Sequence, residues 1–303
     1  MRYLSFDVGG TNIKYSLIDT NGNILKSGKY TTITNREEFL NKIEDIVKEN
    51  SEKIEGLAFS MPGVIDVDKG HMITGGALYE LYDYNFKEEL EKRIKIPVEI
   101  ENDVNCVALA EKWLGNAKEN KNFICLTIGT GVGGALFIND KIVRGAKYSA
   151  GEFGFMITER LKNTADSTLS MRGSVRGGLI KSYAKKVNQN WEELDGKKIF
   201  EYAENGDKIA IETINEFYTN IAYSIFNLIV SLNPEKILVG GEISVRTDFI
   251  EKIKEKLEEL KSKIVDLKNL EFPVIERCKF LNDSGKIGAL YNFKLMQKNR
   301  MED

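Results

Sequence analysis

Two aspartates in this sequence stand beside the ends of predicted strands, where carboxylates can reach a ligand. Asp7 precedes the glycine turn Gly9-Gly10-Thr11, and Asp103 follows the predicted strand Val98–Glu101. In open α/β sheets, ligands bind outside the carboxyl ends of the strands. Asp7 and Asp103 are therefore candidate ligand contacts. For Asn102 and Asp103 a purely structural role is also open, because either residue could cap the helix predicted to run from there to about Leu114.

Paired glycine hairpins are the second chemical feature. Near residue 9 and again near residue 129, the pattern is strand, glycine turn, strand, tight turn, strand. The second turn is Gly129-Thr130-Gly131, and a third glycine pair, Gly240-Gly241, ends another predicted strand. Glycine hairpins expose backbone N–H groups that can cradle phosphate oxygens, although glycine also serves ordinary turns. The repeat indicates two similar halves and favours a nucleotide clamp.

Four segments, taken together and in this order, resemble the ROK family, which groups sugar kinases with related repressors. They are Asp7-Val-Gly-Gly-Thr-Asn-Ile-Lys14, Glu101-Asn-Asp-Val-Asn105, Ile128-Gly-Thr-Gly-Val-Gly-Gly134 and Leu238-Val-Gly-Gly-Glu242. The resemblance covers most of the chain. It implies an α/β fold of the two-domain actin-like ATPase (ribonuclease H-like) type, with duplicated βββαβα units and an active-site cleft between domains. We predict a first domain at 1–118, completed by a C-terminal helix at 285–303, and a larger second domain at 119–284.

The resemblance also implies roles for individual residues. Asp103 is expected to be the general base in ATP-dependent phosphorylation of a hexose 6-hydroxyl. Gly76, Asn102, Asp103 and Glu152 are expected to contact the sugar. Asp7 is expected to position Mg²⁺ through water, because that ion keeps part of its hydration shell. The residues expected to hold the nucleotide are Asp7, Gly9, Gly10, Thr11, Lys14, Gly129, Thr130, Gly131, Gly133, Gly240 and Gly241.

One departure from the family pattern concerns metal and substrate. Typical members have Glu-x-Gly-His with a zinc-binding histidine, whereas this chain has Glu152-Phe-Gly-Phe155. The cysteine cluster usual downstream is absent from Thr168–Gly178. Because structural zinc needs four Cys or His ligands close together, we predict no zinc site. The pattern is similar to N-acetylmannosamine kinases and to zinc-less β-glucoside kinases or glucokinases. We favour N-acetylmannosamine, with glucose and β-glucosides as alternatives.

Other functions were weighed against a kinase. Family repressors carry an N-terminal helix-turn-helix, whereas this sequence begins directly with the strand that contains Asp7, so we expect no DNA binding. A non-catalytic sugar sensor is a further alternative, and the presence of both Asp7 and Asp103 argues against it. Turnover of ATP without sugar would instead favour an actin-like or chaperone-type ATPase.

Composition limits the class of protein. The 303 residues carry a formal net charge of −3, which argues against a nucleic-acid surface. No stretch approaches the roughly 18 apolar residues of a membrane span. The cysteines Cys106, Cys125 and Cys278 look like buried free thiols of a reducing compartment, so we expect a cytoplasmic protein. The expected partners are a sugar and a nucleotide. A homodimer is also expected, and the apolar stripe at 217–232 would allow one.

Secondary-structure patterns complete the prediction. Helices are expected at about 36–50, 87–95, 207–232 and 248–264. Residues 160–175 are polar and are expected to form a mobile loop. A last helix is predicted from Ser284 through Leu295, followed by a frayed tail from Lys298 to Asp303.

Overall fold

The computed structural model describes residues 1–50, 54–159 and 165–302 and confirms the predicted α/β class. The strands are β1 (Arg2–Val8), β2 (Asn12–Asp19), β3 (Ile24–Thr31), β4 (Gly56–Met61), β5 (Ile65–Asp66), β6 (His71–Met72), β7 (Val98–Asn102), β8 (Phe123–Ile128), β9 (Val132–Ile138), β10 (Lys141–Ile142), β11 (Lys236–Gly240) and β12 (Val274–Arg277). The helices are α1 (Arg36–Glu49), α2 (Phe86–Ile94), α3 (Asp103–Leu114), α4 (Leu169–Arg172), α5 (Ser182–Val187), α6 (Gly196–Glu204), α7 (Lys208–Leu232), α8 (Phe249–Ser262) and α9 (Ser284–Glu302). A π-helical segment, Val175–Lys181, leads into α5.

Two five-stranded sheets share one topology, as the sequence repeat predicted. Their strand orders are β3-β2-β1-β4-β7 and β10-β9-β8-β11-β12. In the first sheet β1 pairs antiparallel with β2 and parallel with β4, which in turn pairs parallel with β7. In the second sheet β8 pairs antiparallel with β9 and parallel with β11. Parallel strands end at the same edge of a sheet. In the first sheet this brings the carboxyl ends of β1, β4 and β7 together.

The chain divides into two compact units. Unit 1 comprises Met1–Glu119, Ile142–Ala150 and Lys279–Asp303, and unit 2 comprises Asn120–Lys141 and Gly151–Cys278. Residues 142–150 and 279–284 fall within the predicted second domain, whereas in the structure they belong to unit 1. They join unit 1 because Arg144 pairs with the buried Glu101 and because the Lys279 N–H donates to Glu111 Oε1 at 2.7 Å. These contacts are long-range, so hydrophobic periodicity does not reveal them.

The core of unit 1 lies on both faces of the first sheet. On one face, buried apolar side chains of β1, β4 and β7 pack against α1 and α2. On the other face, α9 contacts α3, β1 and β4. Asn35 caps α1 by accepting from the Glu38 N–H, and Asn102 caps α3 by accepting from the Val104 and Asn105 N–H groups. Local capping therefore sets where each of these helices begins.

The last helix is longer than predicted. α9 continues to Glu302, so the expected frayed tail is wrong over residues 298–302. Its end is held to β7 by ion pairing between Arg300 and Glu99, whose side chain is buried and also accepts from Lys87 Nζ at 2.8 Å. The partner of Arg300 lies about 200 residues earlier, out of reach of a local pattern.

Unit 2 resolves two further predictions. The expected loop at 160–175 is partly helical: residues 160–164 lie outside the described residues, Ala165–Ser167 form a 3-10 turn, and α4 follows. The apolar stripe of α7 is largely buried within this unit, for example at Phe217, Ile221 and Ile225. The stripe therefore forms mainly core, whereas Tyr223, Val230 and Leu232 of the same helix are exposed, and the homodimer stays a prediction.

Two sequence predictions about chemistry and membranes can be compared directly with the structure. Cys106, Cys125 and Cys278 are buried, as predicted, and none of the three forms a disulfide. Among the helices of the described ranges, none has both the length and the apolar character needed to cross a bilayer.

Candidate active site

Asp7 lies near the end of β1, between a hydroxyl group and a helix terminus. The Ser60 Oγ on β4 donates to Asp7 Oδ1 at 3.0 Å. Gly285, in the first turn of α9, sits so close that a Cβ there would lie 2.4 Å from the same oxygen. The positive end of a helix dipole favours a nearby anion. Burial nevertheless raises the pKa of the Asp7 carboxyl, with the Ser60 hydrogen bond and the charges of Lys14 and Lys286 acting in the opposite direction.

These surroundings fit Mg²⁺ held through water. Asp7 is partly exposed, and its Oδ1 accepts the Ser60 hydrogen bond. Mg²⁺ usually keeps several waters and needs only one or two carboxylates from the protein. Asp7 would hold the ion through its hydration shell, next to the first glycine turn. A bound cation would also offset the cost of keeping this partly buried carboxylate charged.

The first glycine turn is short and open. The Gly9 N–H donates to the Asn12 carbonyl at 3.0 Å, and the Thr32 Oγ1 fixes the Gly9 carbonyl at 2.6 Å. Gly10 and Thr11 are exposed, so their backbone groups can face a phosphate. The predicted phosphate contact Lys14 is further along β2. Its Nζ donates to Asn282 Oδ1 at 3.3 Å.

Asp103 is the first residue of α3, at the carboxyl end of β7. Its Oδ1 accepts from the Val104 N–H at 2.9 Å. Asn102 serves as the helix cap, and its Nδ2 donates to the Gly63 carbonyl at 3.0 Å. The structural role weighed for Asn102 is thus present, and a sugar contact by this side chain must share atoms that are already hydrogen-bonded. Asp103 keeps its place at the sheet edge where ligands bind.

Gly76 belongs to the same neighbourhood. It has a φ of +57°, and a Cβ on it would lie 3.0 Å from Pro62 Cβ. Pro62 is the neighbour of Gly63, whose carbonyl receives the Asn102 amide. On the other side, a Cβ on Gly10 would lie 3.7 Å from Ala77 Cβ. The structure therefore brings Gly76, Asn102 and the first glycine turn together within unit 1.

Glu101, the residue before Asn102, anchors this edge through a network that sequence reasoning missed. Its buried carboxylate accepts from the Asn102 N–H at 2.8 Å, from Asn105 Nδ2 at 2.9 Å and from Arg144 Nε at 2.8 Å. Arg144 also donates to Asn292 Oδ1 on α9 at 3.0 Å. The network holds the junction of β7 and α3, and with it the backbone of Asp103. Only Glu101 itself, as part of the motif, gave a signal in the sequence.

Glu152 lies in unit 2, on a segment that packs directly against β9. A Cβ on Gly134 would lie 2.6 Å from the Gly151 carbonyl oxygen, and one on Gly154 would lie 2.1 Å from the Val132 oxygen. These glycines let the two backbones touch, and they set the position of Glu152 between them. Burial raises the pKa of the Glu152 carboxyl, with no opposing hydrogen bond or charge among the causes. A half-buried acceptor in this state suits a ligand hydroxyl.

The second glycine turn and the residues that follow the third glycine pair line one cavity of unit 2. Its volume is about 510 Å³, within the roughly 300–1,000 Å³ range of small-molecule pockets. Gly129 and Thr130 line it, as predicted for nucleotide contacts, and a Cβ on Gly129 would meet nothing within 4 Å. Gly241, with a φ of +94°, approaches so closely that a Cβ would lie 2.1 Å from the Ile128 oxygen. The cavity wall continues from there through Glu242 and Ile243.

The other predicted nucleotide residues of unit 2, Gly131, Gly133, Gly240 and Gly241, are not among those that line this cavity. Gly131 faces the Ser170 hydroxyl, Gly133 pairs with Thr127 within the sheet, and Gly240 ends β11 next to Cys278.

Several cavity residues were missed by sequence reasoning. They are Val175, Arg176 and Ile180 of the π-helical segment, Asp195, Gly196, Lys197 and Phe200 around the start of α6, and Arg246. The guanidinium of Arg246 lies 3.8 Å from the centroid of the Phe200 ring, and Asp248 Oδ1 accepts from its Nε at 3.0 Å. These residues come from separate elements. Only the capping pattern at Asp195 was visible in the sequence.

Comparison with known proteins gives the family of this chain. The ROK family model matches residues 3–296. The chain belongs to the ROK family. Its fold is accordingly the predicted actin-like ATPase fold, shared with solved ROK structures at a TM-score of 0.90.

Several ROK family relatives are similar over their whole length. A β-glucoside kinase of Listeria monocytogenes is 36% identical, with 100% of both chains covered. One from Klebsiella pneumoniae is 31% identical, covering 100% of this chain and 99% of the relative. An N-acetylmannosamine kinase of Haemophilus influenzae is 27% identical, over 96% of this chain and 95% of the relative.

Two solved ROK structures superpose with a TM-score of 0.90. One is a Listeria monocytogenes protein described as a candidate N-acetylmannosamine kinase, 34% identical, with 98% of this chain and 100% of that chain covered. The other is a ROK family protein from Streptococcus pneumoniae in complex with sucrose, 30% identical, with 99% and 100% covered.

Phe155, which stands where typical ROK members have a histidine, is 72% exposed. Among the described residues, no group of three or more His, Cys, Asp or Glu side chains is arranged to hold a metal ion. The absence of a zinc site stays a prediction.

Proposed function

We propose that this protein transfers the γ-phosphoryl group of ATP to the 6-hydroxyl of the glucosyl unit of a β-glucoside. The prediction of a sugar kinase is confirmed by the named kinases that match the whole chain. The acceptor is a finer matter. β-Glucosides replace N-acetylmannosamine as our favoured acceptor, because β-glucoside kinases match at 36% and 31% identity and the N-acetylmannosamine kinase at 27%.

The observation that carries the proposal is the arrangement around Asp103 in unit 1. Asp103 stands at the carboxyl end of β7. Gly76 lies against Pro62, the neighbour of Gly63, whose carbonyl accepts from the amide of Asn102. Asp7 and the first glycine turn belong to the same unit. Asp103 would be the base, Gly75 and Gly76 the sugar loop, and the turn Gly9–Thr11 the phosphate loop. Phosphoryl transfer requires these parts, since that reaction depends mainly on positioning and charge stabilisation.

The reaction follows from these parts. The Asp103 carboxylate accepts the proton of the 6-hydroxyl as O6 forms a bond to the γ-phosphorus. The bond from that phosphorus to the bridging oxygen breaks, and ADP leaves with the electron pair. Mg²⁺, when bound near Asp7, neutralises phosphate charge. The backbone N–H groups of the exposed turn at Gly10 and Thr11 donate hydrogen bonds to phosphate oxygens.

The cavity of unit 2 is proposed to bind the nucleotide. Its wall of Arg246 stacked on Phe200 offers a flat, partly cationic surface of a kind that suits an aromatic base. Lys197 and Arg176 add positive charge for phosphates at the same cavity. Glu152 is proposed to accept a hydrogen bond from a sugar hydroxyl, which would compensate for its burial.

A coupled ADP-release assay with Mg-ATP tests the proposal. The acceptors are cellobiose, phenyl β-glucoside, glucose, N-acetylmannosamine and N-acetylglucosamine, and NMR identifies the phosphorylated position. We expect the β-glucosides to give the highest kcat/KM, with phosphate on the 6-position. Highest turnover of N-acetylmannosamine would instead establish the second candidate, which the description of one solved neighbour favours. ATP and sugar binding without turnover would favour a sensor.

The Asp103→Asn variant tests the base. General acid–base catalysis contributes about 10²- to 10⁴-fold to rate, so kcat is expected to fall by that factor. The variant keeps the size of the side chain and an oxygen that can accept from the Val104 N–H, so its melting temperature is expected to stay near that of the wild type. An Asp103→Asn enzyme with wild-type kcat would refute the assignment.

A further inference from the structure

Unit 1 exposes a pair of tyrosines beside the candidate sugar loop. Tyr79 is 77% exposed and Tyr82 is 41% exposed. Their ring centroids are 5.7 Å apart, with 37° between the ring planes. Aromatic rings of this size usually bury most of their area, so two neighbouring exposed faces form an apolar patch in water.

Buried residues and hydrogen bonds hold Tyr79 and Tyr82 in place. It lies on a 3-10 turn, Tyr79–Leu81, whose flanking side chains Leu78 and Leu81 are buried in the core of unit 1. The Tyr82 N–H donates to the Tyr79 carbonyl at 3.2 Å. Glu80 Oε2 accepts from the Arg36 N–H at 2.9 Å, which ties the turn to the start of α1. The rings therefore need little ordering when a ligand binds, which favours affinity.

The same turn is joined to the sugar loop. The Tyr82 hydroxyl donates to the Gly76 carbonyl at 3.0 Å, and the Leu78 N–H donates to the Gly75 carbonyl at 2.9 Å. Gly76 in turn lies against Pro62, next to the Gly63 carbonyl that receives Asn102 Nδ2. A short chain of contacts thus runs from the exposed rings to the residue that adjoins Asp103.

We propose that Tyr79 and Tyr82 form the subsite for the aglycone of the acceptor, the group linked to C1 of the phosphorylated glucosyl unit. The proposal rests on the function proposed above. A β-glucoside carries a second ring or an aryl group that takes no part in the reaction at O6, so it needs a surface of its own. The C–H face of a pyranose and the face of an aryl group are both apolar and flat. An exposed tyrosine face covers either one while its hydroxyl remains hydrated or hydrogen-bonded.

The size of the sugar bound in a solved relative agrees with this. The Streptococcus pneumoniae ROK protein, 30% identical to this chain, is described in complex with sucrose, a sugar of two rings.

The test compares acceptors that differ only in the aglycone. Methyl β-glucoside carries a single carbon, whereas phenyl β-glucoside and cellobiose carry a ring. We expect Tyr79→Ala to lower kcat/KM roughly 2- to 12-fold for the ring-bearing acceptors, the range typical of one aromatic contact. For methyl β-glucoside the change is expected to stay within twofold. Tyr79→Phe, which retains the ring face, is expected to behave like the wild type with all three acceptors.

Unit 2 offers a matched control. Tyr202 pairs with Tyr183 at 5.8 Å and 34°, nearly the same geometry, and it is 37% exposed. Tyr202→Ala is expected to leave the ratio of phenyl to methyl β-glucoside kcat/KM unchanged. An equal loss for all acceptors in Tyr79→Ala would overturn the subsite. So would a change in oligomeric state by gel filtration without an aglycone-dependent loss, since the pair would then bind a second copy.

Calorimetry without ATP separates failure of the subsite from failure of the proposed function. If the wild type phosphorylates no β-glucoside yet binds phenyl β-glucoside more tightly than methyl β-glucoside, and Tyr79→Ala removes that difference, the subsite is supported and the function is refuted. If both glucosides bind equally to the wild type, or neither binds, the subsite is refuted. Turnover of β-glucosides with unaltered ratios in Tyr79→Ala refutes the subsite alone.

Discussion

Arg144→Met is the sharpest perturbation of the edge that holds Asp103. The substitution keeps much of the side-chain length and removes the charge that faces the buried Glu101 carboxylate. Glu101 would keep only its hydrogen bonds from the Asn102 N–H and from Asn105 Nδ2. Leaving one member of a buried ion pair alone costs about 3–5 kcal/mol. Because the Arg144 side chain is 22% exposed, we expect the lower end, about 3 kcal/mol.

A double-variant cycle isolates this pair. Glu101→Gln leaves a partly exposed guanidinium that water can solvate, so it is expected to cost less than Arg144→Met. The double variant removes the orphaned charge and is expected to be more stable than Arg144→Met alone, with a coupling above about 1 kcal/mol. Urea unfolding of all four proteins measures the terms. Lys92→Met, which breaks the exposed Lys92–Glu88 pair at 2.7 Å, is the control and is expected to unfold like the wild type.

The same variants test whether the network positions the catalytic residue. Misplacement of a reacting group by about 1 Å can cost up to roughly 100-fold in rate. Arg144→Met is therefore expected to lower kcat much more than it changes the KM for ATP. Additive free energies in the cycle, or an Arg144→Met enzyme with wild-type stability and kcat, would refute this reasoning.

Two further predictions concern unit 2. Glu152→Gln is expected to lower kcat/KM for the sugar roughly 10- to 150-fold, the value of about 1.5–3 kcal/mol for a hydrogen bond to a charged group. Burial raises the pKa of Glu152 in the folded state, so this group lowers stability as the pH rises from its unfolded pKa through its folded pKa. Glu152→Gln should therefore raise the melting temperature at pH 7 and not near pH 3. Unchanged melting at both pH values would contradict this. Gly241→Ala must strain the backbone and displace the Ile128 oxygen, whereas the control Gly206→Ala, with a φ of +89° and no atom within 4 Å, meets only the backbone strain. Thermal melts with and without ATP should therefore show a larger loss of stability, and of stabilisation by ATP, in Gly241→Ala. Equal losses in the two variants would refute the close-packing argument.

Local sequence signals predicted much of the fold. The alternating apolar residues Leu4, Phe6 and Val8 predict β1, and a cap at Asn35 or Thr34 predicts the start of α1. The paired glycine turns predict two sheets of like topology. Each of these depends on neighbours within a few residues. The end of α9 and the return of 142–150 to unit 1 depend instead on Arg300 and Arg144 finding buried glutamates far away in the sequence, which periodicity cannot register.

The candidate site divides in the same way. Motifs gave Asp7, Asp103 and the glycines, because turns and strand ends impose residue types locally. The cavity wall of Arg246 on Phe200 was missed, since each residue alone looks like an ordinary helix or loop position. The exposed Tyr79 was missed because exposure itself is a property of the folded surface.

The contact between β1 and α9 has a consequence for the order of events during synthesis. The Ser5 Oγ donates to the Lys286 carbonyl, 281 residues later, and Gly285 closes one side of Asp7. At roughly 5–20 residues per second, the ribosome needs about 14–56 s to make that intervening chain. During that interval α9 is absent, so the face of β1 that α9 covers in the folded protein is exposed. Until α9 has been synthesised, this face can bind other chains or a chaperone. The surroundings of Asp7 are complete only once α9 has packed against β1.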